Sequence, residues 1–176
     1  MSAVIRGKRV TLRKPRMSDA DAIVEYCGDR HISDWITTMP HPYKRKDAVW
    51  FIKDCKKKWK AGTDNIYVIE YEGKPAGTIG LHFKNNDKAE IGYWVGRPFW
   101  RKGLVTEAAK LLIREGFNRL KLNKIYARYL KGNKKSERVM QKLGMKYEAW
   151  LKDDAKKGRK YYDVGQYCIL KREFKG

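Results

Sequence analysis

The side chains best suited to chemistry cluster in residues 89–121, AEIGYWVGRPFWRKGLVTEAAKLLIREGFNRLK. At the centre is Trp100-Arg101-Lys102-Gly103-Leu104-Val105-Thr106, where two cations and a glycine lead into what reads as a helix. A helix start exposes unpaired N–H groups and the positive end of the dipole, and glycine lets a bulky anion approach where a Cβ would obstruct it. The chemistry this suits is a seat for a pyrophosphate. Neither G-x-x-x-x-G-K-[ST] nor G-x-G-x-x-G is present, which excludes the nucleotide-hydrolase and dinucleotide loops. The alternative is an ordinary strand-to-helix turn with solvated basic residues. Upstream, Glu90 lies on the strand leading to this loop and is the first choice for a general base. Its alternative is a strand carboxylate paired with a lysine.

These residues need a strand and a helix to hold them. In residues 89–95 aromatic and β-branched side chains dominate, placing Glu90, Gly92 and Trp94 on one face and Ile91, Tyr93 and Val95 on the other. Gly96, Arg97 and Pro98 make a turn. From about Val105 the period changes, and Ala109, Leu112, Ile113, Gly116, Phe117 and Leu120 recur as one helical face. Residues 124–130 form the next strand, so the order implies a right-handed parallel crossover. Around this unit the chain predicts an opening strand over residues 5–14, ended by Pro15. A short helix capped by Ser18 or Asp19 runs to about Tyr26, with Ala20, Ile23, Val24 and Cys27 inward. Residues 29–43 read as a loop broken by Pro40 and Pro42. A helix over residues 44–61, with Val49, Ile52, Cys55 or Lys56, and Trp59 inward, stops at Gly62. Strands 65–71 and 74–83 join across Glu72-Gly73, with a turn at 85–88. Asn133 opens a short helix closed by Gly144, and strands 147–152 and 160–171 make a last hairpin across a basic turn, 153–159.

Taken together, A-E-I-G-Y-W-V-G-R-P-F-W-R-K-G-L-V-T-E-A, N-K-I-Y-A-R and N-K-K-S-E-R-V-M-Q-K-L-G-M resemble the GNAT superfamily of acetyl-CoA-dependent N-acetyltransferases. The opening R-V-T-L-R at Arg9 to Arg13 and S-D-A at Ser18 to Ala20 is similar to the ribosomal-protein N-terminal (RimJ/RimL-type) branch. The resemblance implies a single α+β (α/β) domain over residues 1–176, a mixed central sheet of about six or seven strands flanked by about four helices. It implies that backbone N–H groups of Arg101, Lys102, Gly103, Leu104, Val105 and Thr106 hold the CoA pyrophosphate. Trp94 and Val95 pair with the pantetheine arm, while Asn133 and Ser136 face pantetheine and the thiol. Relatives place a catalytic glutamate where Glu90 stands. Two departures are Trp100 and Val105 at the ends of the loop motif, and Met140 where many relatives carry a thiol-protonating tyrosine. Ser136 is then the acid the motif offers, unless its hydroxyl only decorates its helix turn.

Composition bounds the rest. The chain of 176 residues fits one core. It lacks an apolar run of roughly 18 residues or an apolar signal core in its first residues, so it is expected to be soluble, cytoplasmic and off the membrane. Cys27, Cys55 and Cys168 show no C-x-x-C spacing, and His31, His41 and His82 no metal-ligand spacing, so no metal is expected. The net charge of +21 exceeds what one anionic cosubstrate needs. It fits work near RNA or the ribosome, or a lysine-rich solvated surface. It also repels polycations at long range.

The acceptor is expected to be a primary amine. An N-terminal α-amine, with a reference pKa of about 7.7 to 8.0, needs far less base than lysine at about 10.4. A protein N-terminus therefore leads, with Trp35 and Tyr43 as walls of the acceptor site, or Trp35 as a core plug instead. A small amine such as an amino acid, antibiotic or polyamine is the second reading, and a non-catalytic RNA- or ribosome-binding module on the same scaffold the third. A monomer or homodimer fits all three.

Overall fold

In the computed structural model, which describes residues 2–85 and 87–174, one mixed sheet separates two helical layers. The strands are β1 (Val4–Arg6), β2 (Val10–Arg13), β3 (Asp64–Tyr71), β4 (Lys74–Asn85), β5 (Lys88–Val95), β6 (Lys124–Leu130), β7 (Lys146–Lys157) and β8 (Lys160–Leu170). Their order is β1-β2-β3-β4-β5-β6-β8-β7, antiparallel everywhere except between β5 and β6. The helices are α1 (Ala20–Cys27), α2 (Arg30–Ser33), α3 (Arg45–Ala61), α4 (Leu104–Asn118) and α5 (Lys134–Lys142).

Side-chain alternation decides which layer each strand residue meets. Ile79 and Leu81 of β4, Ala89, Ile91 and Val95 of β5, and Ile125 and Ala127 of β6 enter the larger core. There they meet Leu104, Ala108, Ala109, Leu112, Ile113 and Phe117 of α4, the stripe a 3.6-residue period produces. Burying each large apolar side chain contributes about 1.5–3 kcal/mol. Gly116 allows this approach, since a Cβ there would lie 2.9 Å from Ile125 Cδ1. On the other face Ile23 and Cys27 of α1, Ile32 of α2, and Ala48 and Ile52 of α3 form a second core, against which Trp94 packs.

The feature that positions the site is a divergence. β5 and β6 pair only from Lys88↔Lys124 to Glu90↔Tyr126, after which β5 keeps its β4 partners up to Val95↔Gly77 but parts from β6.

The structure has eight strands and five α-helices among the described residues, against about six or seven and about four expected. The opening stretch is two strands folded into a hairpin at Gly7, where an added Cβ would lie 2.7 Å from Leu111. The stretch read as loop contains α2, whose first N–H groups are served by Asp29 accepting from the His31 N–H at 2.9 Å. The inner face of α3 is Ala48, Ile52 and Cys55, with Val49 only half-buried. β7 continues to Lys157 because a register shift between Leu151 and Ala155 lets the strand resume pairing, leaving a tight turn at Gly158. The turn expected over residues 85–88 includes Asn86, which lies outside the described residues.

Candidate active site

Two backbone features make the site. The first is the loop before α4. Arg101 and Gly103 both adopt left-handed φ, 62° and 73°, which turns successive amides toward one side. For arginine this conformation is costly, by about 1–2 kcal/mol. Among the described residues, no protein acceptor takes the N–H groups of Arg101, Lys102, Gly103, Leu104, Val105 or Thr106, and the first bond of the helix ladder is Glu107 N–H to Gly103 O at 3.1 Å. The Leu104 side chain is in the core and Val105 packs against it, so these two offer only backbone. Arg9 braces the loop from the β1–β2 turn, donating to Lys102 O at 2.9 Å and to Glu107 at 2.8 Å. Hydrogen bonds from Arg9 and Val10 hold the Glu107 carboxyl below its ordinary pKa, against the upward push of partial burial. Arg101 and Lys102 are exposed, and Lys135 stands 3.7 Å above the Trp100 ring. Amides turned to one side beside exposed cations fit a diphosphate.

The second feature is the opening between β5 and β6. Gly96 N–H donates to Ala76 O at 2.9 Å, and residues bonded to an antiparallel neighbour alternate. Tyr93 and Val95 therefore direct their N–H groups away from β4, into the opening. Trp100, atypical for its place in the motif, donates its indole N–H to Val95 O at 2.8 Å and ties loop to strand. Sequence reading offered no sign of this contact.

The catalytic candidates lie on either side of that opening. Glu90 accepts from Arg128 Nε at 3.0 Å and Nη2 at 3.2 Å, and Lys84 is 3.9 Å away. Arg128 also donates to Asp154 at 3.0 Å. Ser136, in the first turn of α5, lies 3.1 Å from the Tyr93 hydroxyl. Burial pushes the Tyr93 pKa up to about 12, so its proton is retained at neutral pH. Asn133 spends its side-chain oxygen capping α5, accepting from Ser136 N–H at 3.2 Å. Met140 is buried in the core.

Trp35 and Tyr43 are not brought together. Trp35 is 40% exposed and stands by Gly132, a Cβ on which would lie 3.6 Å from its ring. It borders, with Asp34, Lys157 and Tyr162, a cleft of about 500 Å³. Tyr43 packs on the second core, and desolvation raises its pKa. Lys157, on one wall of the cleft, donates to Ser33 O and Ile36 O.

A residue the sequence reading passed over is His82. It sits beside Asp64 on the face that carries Glu90, with Nδ1 bonded to Asp64 Oδ1. The only cue available was an alternating strand with histidine where Glu90's cross-strand partner falls.

The chain is similar to known acetyltransferases in sequence and in fold. Residues 9–146 match the family described as acetyltransferase (GNAT) domain. An uncharacterized N-acetyltransferase of Bacillus licheniformis, p20, is 33% identical over 96% of this chain and 97% of its own. A Bacillus subtilis (strain 168) protein provisionally named ribosomal N-acetyltransferase YdaF is 29% identical over 97% and 96%. The crystal structure of a probable acetyltransferase superposes with a TM-score of 0.89 at 27% identity, covering 97% of this chain and 98% of that one.

Proposed function

Because the chain belongs to the GNAT family of acetyltransferases and uses acetyl-CoA, we propose that it acetylates the α-amine of a protein or peptide N-terminus, of ribosomal-protein type. The observation that carries this reading is the row of N–H groups from Arg101 to Thr106, without a protein acceptor among the described residues and ending beside the open edge of β5. In it, those amides seat the pyrophosphate with Arg101 and Lys102. Trp94 and Val95 line the pantetheine arm, and the Val95 N–H polarises the thioester carbonyl. Asn133 holds the first turn of α5, so that Ser136 and Tyr93 stand where a proton can reach the leaving sulfur. Glu90 draws the incoming ammonium and holds the water beside it, while Arg128 fixes the carboxylate.

Three observations support a polypeptide acceptor. The cleft beside Trp35 is open at the surface, the likeness to YdaF covers nearly the whole chain, and a net charge of +21 disfavours polyamines. The same charge suits work close to RNA. The test is an acetyl-CoA turnover screen of peptides with varied first residues against a panel of small amines including spermidine. Peptide turnover at least about tenfold above every small amine, by kcat/KM, is expected; the reverse order would overturn the acceptor assignment. RNA binding with no acetyl-CoA turnover would overturn the enzyme reading of this site.

A further inference from the structure

We propose that His82 takes the proton from the acceptor amine, with Asp64 fixing its tautomer and orientation. This rests on the acetyltransfer reading above. Asp64 of β3 and His82 of β4 are register partners, and Asp64 Oδ1 engages Nδ1. A carboxylate on Nδ1 makes that nitrogen the one that carries hydrogen and leaves Nε2 with its lone pair. Among the described residues Nε2 has no protein partner. It leans over β5, so that a Cβ on Gly92 would lie 3.3 Å from it. Gly92 is the second residue past the last β5–β6 pair, Glu90↔Tyr126, where the strands part. The imidazole therefore projects along the strand toward the opening rather than into the core, and its side chain is 34% exposed.

Glu90 is placed differently. It lies directly across from His82 in the register, but both its oxygens already accept from Arg128. The two groups divide the work: Glu90 attracts the ammonium, and His82 accepts its proton directly or through one water. Imidazole is the side chain whose ordinary titration falls near neutral pH, where an α-amine also begins to lose its proton. The charges facing His82 are the negative Asp64 and Glu90 and the positive Lys58, 3.8 Å from Asp64 and itself paired with Asp54 at 3.0 Å. Lys84 and Arg128 lie beyond Glu90, each paired with it.

Protons and electrons balance. One proton passes from the ammonium to Nε2 and on to solvent. The amine lone pair forms the C–N bond, the C–S bond breaks with its electrons going to sulfur, and the amine's second proton ends on that sulfur.

The test combines kinetics with 13C-histidine NMR of the free enzyme, whose three histidines make assignment simple. The substrates are acetyl-CoA and a peptide turned over by the unmutated protein. His82→Gln should lower kcat/KM by about 100-fold or more while acetyl-CoA still raises thermal stability. The acid limb of kcat/KM should coincide with the His82 NMR midpoint, and Asp64→Asn should move both together to lower pH, since it removes a neighbouring negative charge. Glu90→Gln should likewise displace the limb downward yet keep it. A limb that survives His82→Gln and vanishes in Glu90→Gln would overturn the proposal. So would an NMR midpoint more than about one unit from the kinetic one. If His82→Gln fails to fold, the midpoint comparison in unmutated and Asp64→Asn protein decides alone. Failure of the acetyltransfer reading looks different, because acetyl-CoA would then not stabilise the unmutated protein at all.

Discussion

Replacing Gly103 by valine separates the cost of backbone strain from the loss of a ligand seat. Gly103 has φ of 73°, and a Cβ there would meet only Arg9 Nη2 at 3.6 Å, an ordinary contact. The variant should therefore fold, destabilised by about 1–2 kcal/mol for a left-handed L-residue. In a domain of this size that lowers Tm by about 2–8 °C. Acetyl-CoA at 100 times its Kd stabilises the unmutated protein by about 2.7 kcal/mol, a rise of about 5–11 °C. In Gly103→Val this rise should disappear, because the Cβ and the displaced amides spoil the anion seat. Gly62→Val is the matched control: its φ is 71°, no atom lies within 4 Å of its Cβ position, and it caps α3 away from the loop. It should lose similar intrinsic stability and keep the full rise with ligand. Differential scanning fluorimetry of the three proteins, with and without acetyl-CoA, reads both quantities. A full ligand-induced rise in Gly103→Val would refute the reasoning.

Trp100→Phe deletes the indole N–H that holds Val95 O, so stability should fall by about 1 kcal/mol in denaturant melts and KM for acetyl-CoA should rise more than kcat falls. Ser136→Ala removes the hydroxyl beside Tyr93 and should lower kcat about tenfold or more, with acetyl-CoA affinity by calorimetry within about threefold of the unmutated protein. Glu107 is held below its ordinary pKa in the folded protein, so its contribution is present above the unfolded carboxylate value of about 4.3 and is lost as pH falls through the lower folded value. Urea melts from pH 6 to pH 3 should thus show a shallower acid decline for Glu107→Gln, and an unchanged slope would remove the carboxylate from the loop brace.

What could be read from the sequence was what local periodicity carries. The switch from alternation in residues 89–95 to a 3.6-residue stripe fixes β5 and α4, because each side chain's layer follows from its position alone. The hairpin at Gly73 was equally visible, since a turn needing left-handed residues announces itself, as Glu72 and Gly73 do. The β1–β2 hairpin was missed because its strands are only three and four residues long, too short for alternation to mark off the Gly7-Lys8-Arg9 turn between them. α2 is one turn long, too short for a period to register. At the site, the amide-bearing loop was legible as basic residues and glycine before a helix. The Asp64–His82 pair, the Trp100 latch and the Tyr93–Ser136 contact were not, since each joins residues whose nearness depends on strand register or loop path. The Arg128 grip on Glu90 is of the same kind, spanning two strands separated by a helix.

The central claim, that loop amides grip the cosubstrate's phosphates, is tested most directly by titrating CoA into 15N-labelled protein and following backbone amide resonances. The account predicts saturable shifts largest at residues 101–106, with slowed amide exchange there and little change at Gly62. Saturation that leaves those amides unmoved, or no saturation at all, would contradict it.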